Sequence, residues 1–182
     1  VATTHDTPER HRSMAVVLDQ TWQLLHSPEQ RLLAQLSVFA GGFSAPAAQA
    51  VTGAGPLALA QLLDKALLYR SENRFDLHPL MHRFAQEQLA RLGADTHEPS
   101  GLSLLAATRA RHSVFFLTLL AEQRAAIFGH SPQQAQATLA AEFANIQAAW
   151  QWATEVGAAE RLAPCLSVIM HYFELTGLYE TG

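Results

Sequence analysis

His78 and His82, four residues apart in Leu77-His78-Pro79-Leu80-Met81-His82, are the pair whose type and spacing first suggest chemistry. Residues four apart share one face of a helix, so two imidazoles there could in principle hold zinc. The pattern lacks the rest of such a site: no glutamate stands between them as in His-Glu-x-x-His, and no third ligand is identifiable. His82 therefore reads as a helix-surface residue, and His78 as a cap-region residue at a helix N-terminus. Cys165, the single cysteine, lies in Ala163-Pro164-Cys165-Leu166, an apolar context that raises a thiol pKa and argues for a buried structural role over nucleophilic catalysis. A nucleotide-hydrolysing P-loop needs a Gly-rich run ending in Gly-Lys-Ser/Thr, and the only lysine, Lys65, follows Asp64. The chain is expected not to be an enzyme, and to hold no metal and no cofactor by itself.

The elements around these residues can be read in order. Residues 1–12, polar and with Pro8, read as a linker. Ser13 is a plausible N-cap for a helix whose apolar stripe is Met14, Val17, Leu18, Thr21, Trp22 and Leu25. Ser27-Pro28-Glu29-Gln30 reads as a second start, with Ser27 as cap and Gln30 closing a capping box. That helix buries Leu32, Leu33, Leu36 and Phe39 and is expected to end at Gly41-Gly42. A third helix fits 45–51 behind Ser44, and a fourth runs from about Leu57 to Ala66 with Leu59, Leu62, Leu63 and Ala66 on one face.

The period then changes. Residues 67–70 and 74–77 read as two short strands around the polar turn Ser71-Glu72-Asn73. His78-Pro79 opens a helix carrying Leu80, Met81, Phe84, Ala85, Leu89 and Leu92. Several helices, a two-stranded wing and a closing helix make a winged-helix arrangement over 13–93. The stretch 94–103 reads as a linker because Gly93, Pro99, Ser100 and Gly101 stand among polar residues. Beyond it, 104–182 is expected to be purely helical. One helix should run from Leu104 to Phe128, a second from the Ser131-Pro132 start to Val156 with Phe143, Ile146, Trp150 and Ala153 as core, and a third from Ala158 to Thr176. Turns at Gly129, Gly157 and Gly177 suggest antiparallel pairs in a truncated, tetratricopeptide-like (TPR-like) repeat domain. The expected fold class is thus mainly α, a winged helix with a small β-hairpin followed by antiparallel helical repeats.

Bulk properties set outer limits. With 182 residues, 49% of them hydrophobic, the chain can bury a real core. No unbroken apolar run approaches the roughly 20 residues of a membrane span; the nearest, Val114 to Ala121, is broken by Thr118. The Val-Ala-Thr-Thr start has no signal-peptide pattern, and one cysteine fits a reducing cytoplasm, so a cytoplasmic location is expected. Both ends read as cut from a longer protein. Ahead of Gly93 the 8 Lys and Arg balance 8 Asp and Glu, whereas beyond it 4 basic residues face 8 acidic ones. Neither part has the basic surface of an autonomous nucleic-acid binder. The candidate recognition helix, 56–66, also offers little that could read a groove.

Arg10-His11-Arg12-Ser13, Ser27 to Gln30, the run Leu36 to Phe43, Leu62 to Leu68, and Leu139 to Ala153 with Glu142, Asn145, Trp150 and Trp152 form an ordered set. Together they resemble the region behind the nucleotide-binding domain in bacterial STAND signalling ATPases, relatives of the NB-ARC proteins, among them multidomain transcriptional regulators. The resemblance implies that a winged helix packs on an upstream nucleotide-binding domain, with TPR-like repeats following as sensor or scaffold. It also implies that the intact protein uses ATP or ADP with Mg. The family's Met-His-Asp motif, whose histidine contacts the β-phosphate of ADP, falls on Leu77-His78-Pro79, so His78 would be the nucleotide contact, with Leu77 and Pro79 in place of the Met and Asp.

Function in signal transduction is therefore expected to be regulatory and non-catalytic: coupling the nucleotide state of an upstream ATPase domain to repeats that take a protein or small-molecule inducer through protein–protein or ligand contact. Two alternatives stand beside it, a winged-helix transcription factor that binds DNA directly and a plain interaction scaffold.

Overall fold

Side chains that take up the unpaired amides of a first helical turn decide where helices start. The computed structural model describes residues 16–95 and 102–177. Its first helix, α1, covers 16–23, so the Ser13 cap and Met14 lie outside the described residues. Val17 is 51% exposed and off the apolar stripe, which passes through Leu18 and Trp22 to buried Leu25. Helix α2 (Ser27–Leu36) starts one residue earlier than its Ser-Pro signal suggests. Its N-cap is His26, whose N–H donates to Glu29 at 3.0 Å. The box closes on Glu29 because a carboxylate is the stronger acceptor near a helix N-terminus; Gln30 reaches back to the Trp22 carbonyl instead. Nor do Gly41 and Gly42 end α2. Ser37 caps it, its hydroxyl donating to the Ala34 carbonyl, and buried Phe39 sits in the turn beyond.

Strand β1 (Phe43–Ser44) leads into α3 (Ala45–Thr52), where the Ser44 hydroxyl accepts from the Ala47 N–H. Gly53 closes α3 at φ 78°, a left-handed conformation that glycine takes without steric cost. Helix α4 (Pro56–Asp64) buries Leu59 and Leu62 but stops before Ala66, which has left the helix with φ 55°. Strands β2 (Tyr69–Ser71) and β3 (Arg74–Asp76) pair as expected. The sheet has a third, unforeseen strand, in the order β1-β3-β2, all antiparallel, with Phe43 opposite Phe75 and Ser44 opposite Arg74. Phe39, Phe43 and Phe75 stack in sequence beneath it, with centroid spacings of 4.5 and 6.0 Å.

Helix α5 (Pro79–Asp95) runs through Gly93. A Cβ at Gly93 would stand 3.2 Å from the Leu105 Cβ, so this glycine serves a close helix approach and not a break. The remainder is helical among the described residues: α6 (Leu104–Glu122), α7 (Arg124–Ile127), α8 (Pro132–Glu155), α9 (Ala159–Leu162), a 3-10 turn at Ala163–Cys165 and α10 (Leu166–Thr176). The expected single helices are thus each divided, one at Gln123 and the other at Pro164, whose ring cannot follow an α-helical turn. Ser131 precedes α8, but its side chain makes no capping hydrogen bond. Helices α6 and α8 run antiparallel, with Arg109 over Trp152, Ser113 bonded to the Ala149 carbonyl and His112 beside Asn145.

By length and composition the stretch Leu104–Ile127, whose most apolar 18-residue window has a mean hydropathy of 1.2, is apolar enough to cross a membrane. In this fold 44% of that window is buried, on the side that α6 turns to the core. Phe116, Leu117 and Leu120 join one contiguous buried cluster that extends from Leu25 in α1–α2 to Tyr172 in α10. The same helix also turns Thr108, His112 and Ser113 inward, and each of these polar groups has a hydrogen-bond partner.

Candidate functional site

The site begins where β3 gives way to α5. Asp76 turns its carboxylate back to accept the Leu77 N–H at 2.8 Å, and Leu77 is buried, so both flanks of the junction are anchored. His78 follows as the capping residue. Its carbonyl accepts the His82 N–H at 2.9 Å, and its Nδ1 accepts the Leu80 N–H at 3.3 Å. An imidazole that accepts at Nδ1 carries its proton at Nε2 when neutral. The ring of His78 is exposed, so that outward N–H is a donor at the positive end of a 17-residue helix, chemistry suited to a phosphate oxygen.

His82 is placed differently from the surface position expected of it. Half-buried, it contacts the Phe39 carbonyl through Nε2 at 2.8 Å, tying α5 to the turn after α2. Each histidine thus commits a nitrogen to a separate group, His78 to the Leu80 N–H and His82 to the Phe39 carbonyl. Among the described residues no group of three or more His, Cys, Asp or Glu side chains is placed to hold a metal ion.

Four residues before His78, Arg74 begins a polar seam that pattern reading passed over. Its guanidinium bonds both oxygens of Glu142 on α8, the Glu142 Oε2 at 3.0 Å, and also donates to the carbonyls of Gly42 and Ala141. Pairing with Glu142 holds the Arg74 pKa above its ordinary value. Asn145, one turn further along α8 and 1% exposed, donates to the Gly42 carbonyl and to Glu142, both at 3.1 Å, and accepts the Ala40 N–H at 3.0 Å. Gly42 tolerates this crowding because it has no side chain: a Cβ there would sit 3.2 Å from the Phe75 carbonyl.

His112 on α6 closes the seam. With Asn145 Nδ2 spent on two acceptors, Asn145 Oδ1 is the acceptor facing His112 Nε2, at 3.5 Å. Burial pushes the His112 pKa down to about 4 against the opposing pull of Asn145, so the ring is neutral at physiological pH. It packs against the rings of Phe39 and Phe116, which also meet each other edge to face. Nearby, Gln35 of α2 donates to Thr108 of α6 at 3.2 Å, and Arg111 donates to the Val51 carbonyl at 2.7 Å. Only the α8 half of this seam has a sequence signal, Glu142 and Asn145 being three apart and in phase with the apolar stripe of that helix; nothing local points to Arg74 or Gly42 as their partners.

The remaining singled-out residues are simpler. Cys165 is fully buried, its Sγ directed to the Leu117 carbonyl at 3.3 Å, and burial raises its pKa. Trp150 packs against the core, while Trp152 lies under the guanidinium of Arg109. Lys65 at the end of α4 is held by Glu29 of α2 at 2.6 Å. Comparison with family models, with curated proteins and with solved structures gives no significant match in any of the three.

Proposed function

We propose that this chain is a non-catalytic coupling element of a cytoplasmic STAND-type (NB-ARC-related) signalling ATPase. In this reading a winged helix receives the nucleotide state from an upstream domain and passes it to a TPR-like helical sensor. The observation that carries the proposal is the short covalent path between a candidate hydrogen-bond donor to phosphate and a clamp on α8. His78 offers its N–H outward at the α5 N-terminus, and Arg74, on the strand leading to it, grips Glu142 of α8. A push on His78 is transmitted along β3 to a side chain that cannot let go of α8 without stranding a buried carboxylate.

Element order supports the winged-helix part of the reading: helix α2, strand β1, helices α3 and α4, then the β2–β3 hairpin. The antiparallel α6–α8 packing, followed by α10, supports the helical-repeat part. Direct DNA reading is disfavoured by α4, whose only lysine neighbour is engaged by Glu29 and whose exposed face presents Leu57.

ADP release from the natural full-length protein provides the test. His78→Ala should speed release by roughly tenfold, the value of one hydrogen bond to a charged acceptor. An unchanged rate removes His78 from the mechanism, and turnover of ATP by the 182-residue chain alone would overturn the non-catalytic assignment.

A further inference from the structure

A cleft of about 340 Å³ opens where α5, α6 and α8 meet beside the turn after α2. That volume is at the small end of ligand pockets, which combine apolar walls with a few convergent polar groups. Here Leu89 and Leu105 supply apolar wall, buried His112 lies among the lining residues, and Arg109 and Trp152 face each other across α6 and α8 at 5.6 Å. A guanidinium within reach of an indole gains a cation–π attraction and keeps its N–H donors available to bond. Arg109 has no carboxylate partner among the described residues, although ion pairs occupy Lys65, Arg74 and Arg83. An arginine held beside an indole in a cleft, with no carboxylate partner among the described residues, is the feature of this molecule that most calls for a ligand.

We propose that this cleft binds a small, flat monocarboxylate, its carboxylate on the N–H edge of Arg109 and its apolar body against Trp152 and the leucine wall. Charge selects the class. Burial keeps His112 neutral, so Arg109 is the one permanent cation among the cleft's lining residues, while Glu155 on the same lining, bonded to Gln151, repels a second negative charge. A single carboxylate fits this balance and a phosphate dianion does not. The inference does not depend on the nucleotide reading above, since the α5 residues lining the cleft, Gln86, Leu89 and Ala90, lie two to three helical turns along from His78, and no upstream domain is needed.

Tryptophan fluorescence and calorimetry on the 182-residue chain test it with three probes, benzoate, cinnamate and phenylacetate. At least one should quench emission saturably at concentrations below about 10 mM, with benzamide and inorganic phosphate each binding about tenfold more weakly or worse. Arg109→Gln should weaken the best probe by roughly tenfold. Trp152→Leu should abolish its fluorescence response and reduce the calorimetric affinity. Arg109 is exposed, so the glutamine variant should fold, which an unchanged far-ultraviolet circular dichroism spectrum would show. The proposal is overturned if no probe saturates, if benzamide or phosphate binds as well as the carboxylates, or if Arg109→Gln binds like the parent.

Discussion

His112 makes stability depend on pH in a way that can be worked out from its surroundings. In the unfolded chain an imidazole titrates near 6.5, whereas burial between α6 and α8 moves it down to about 4 in the fold. The folded state therefore resists a proton that the unfolded state accepts. Stability is fully present above the unfolded value, is lost as pH falls from about 6.5 toward 4, and declines no further on this account below that. A gap of this size corresponds to on the order of 3 kcal/mol in all, of which about 2 kcal/mol should disappear between about pH 7 and about pH 5. Urea unfolding at the two pH values reads the difference. His112→Phe keeps an aromatic ring against Phe39 and Phe116 and removes the titration. The variant should therefore lose about 2 kcal/mol less than the parent over that pH interval, all other titrating groups being shared. Equal losses in parent and variant would refute the reasoning.

Other consequences concern the seam and the packing. Arg74→Met leaves Glu142 charged and nearly buried, and should destabilise by about 3 kcal/mol in urea unfolding, while Glu142→Gln, which retains hydrogen-bonding capacity, should cost about 1–2 kcal/mol. Gly93→Leu drives a side chain into Leu105 and should cost roughly 1–3 kcal/mol by the same assay. Cys165, fully buried and with its thiol pKa raised, should resist a thiol reagent in native buffer and react stoichiometrically in denaturant; fast native labelling would contradict its placement.

What could be read from the sequence was local chemistry. Ser44 announces α3 because its own hydroxyl makes the cap, and Pro79 marks the start of α5 for a similar reason. Leu33, Leu36, Leu59 and Leu62 fall inward where helical periodicity puts them. The misplacements arise where a distant partner decides. Strand β1 is two residues long and exists only because β3 pairs with it. Gly93 resembles a boundary until Leu105 is seen against it, and Gly41-Gly42 resembles a helix end until Gly42 is seen under Arg74 and Asn145. His78 was legible as a cap because its partner, Leu80, is two residues away. The seam was not, since Arg74 and Glu142 are 68 positions apart and Asn145 and Gly42 are 103 apart.

Coupling between His78 and α8 is the central claim, and amide hydrogen exchange on the natural full-length protein measures it most directly. Adding ADP should change protection both at the α5 N-terminus around His78–Met81 and in α8 around Leu139–Ala149. In Arg74→Gln the first change should persist and the second should vanish. If α8 is indifferent to ADP in the parent, or responds equally without Arg74, the seam does not carry the signal.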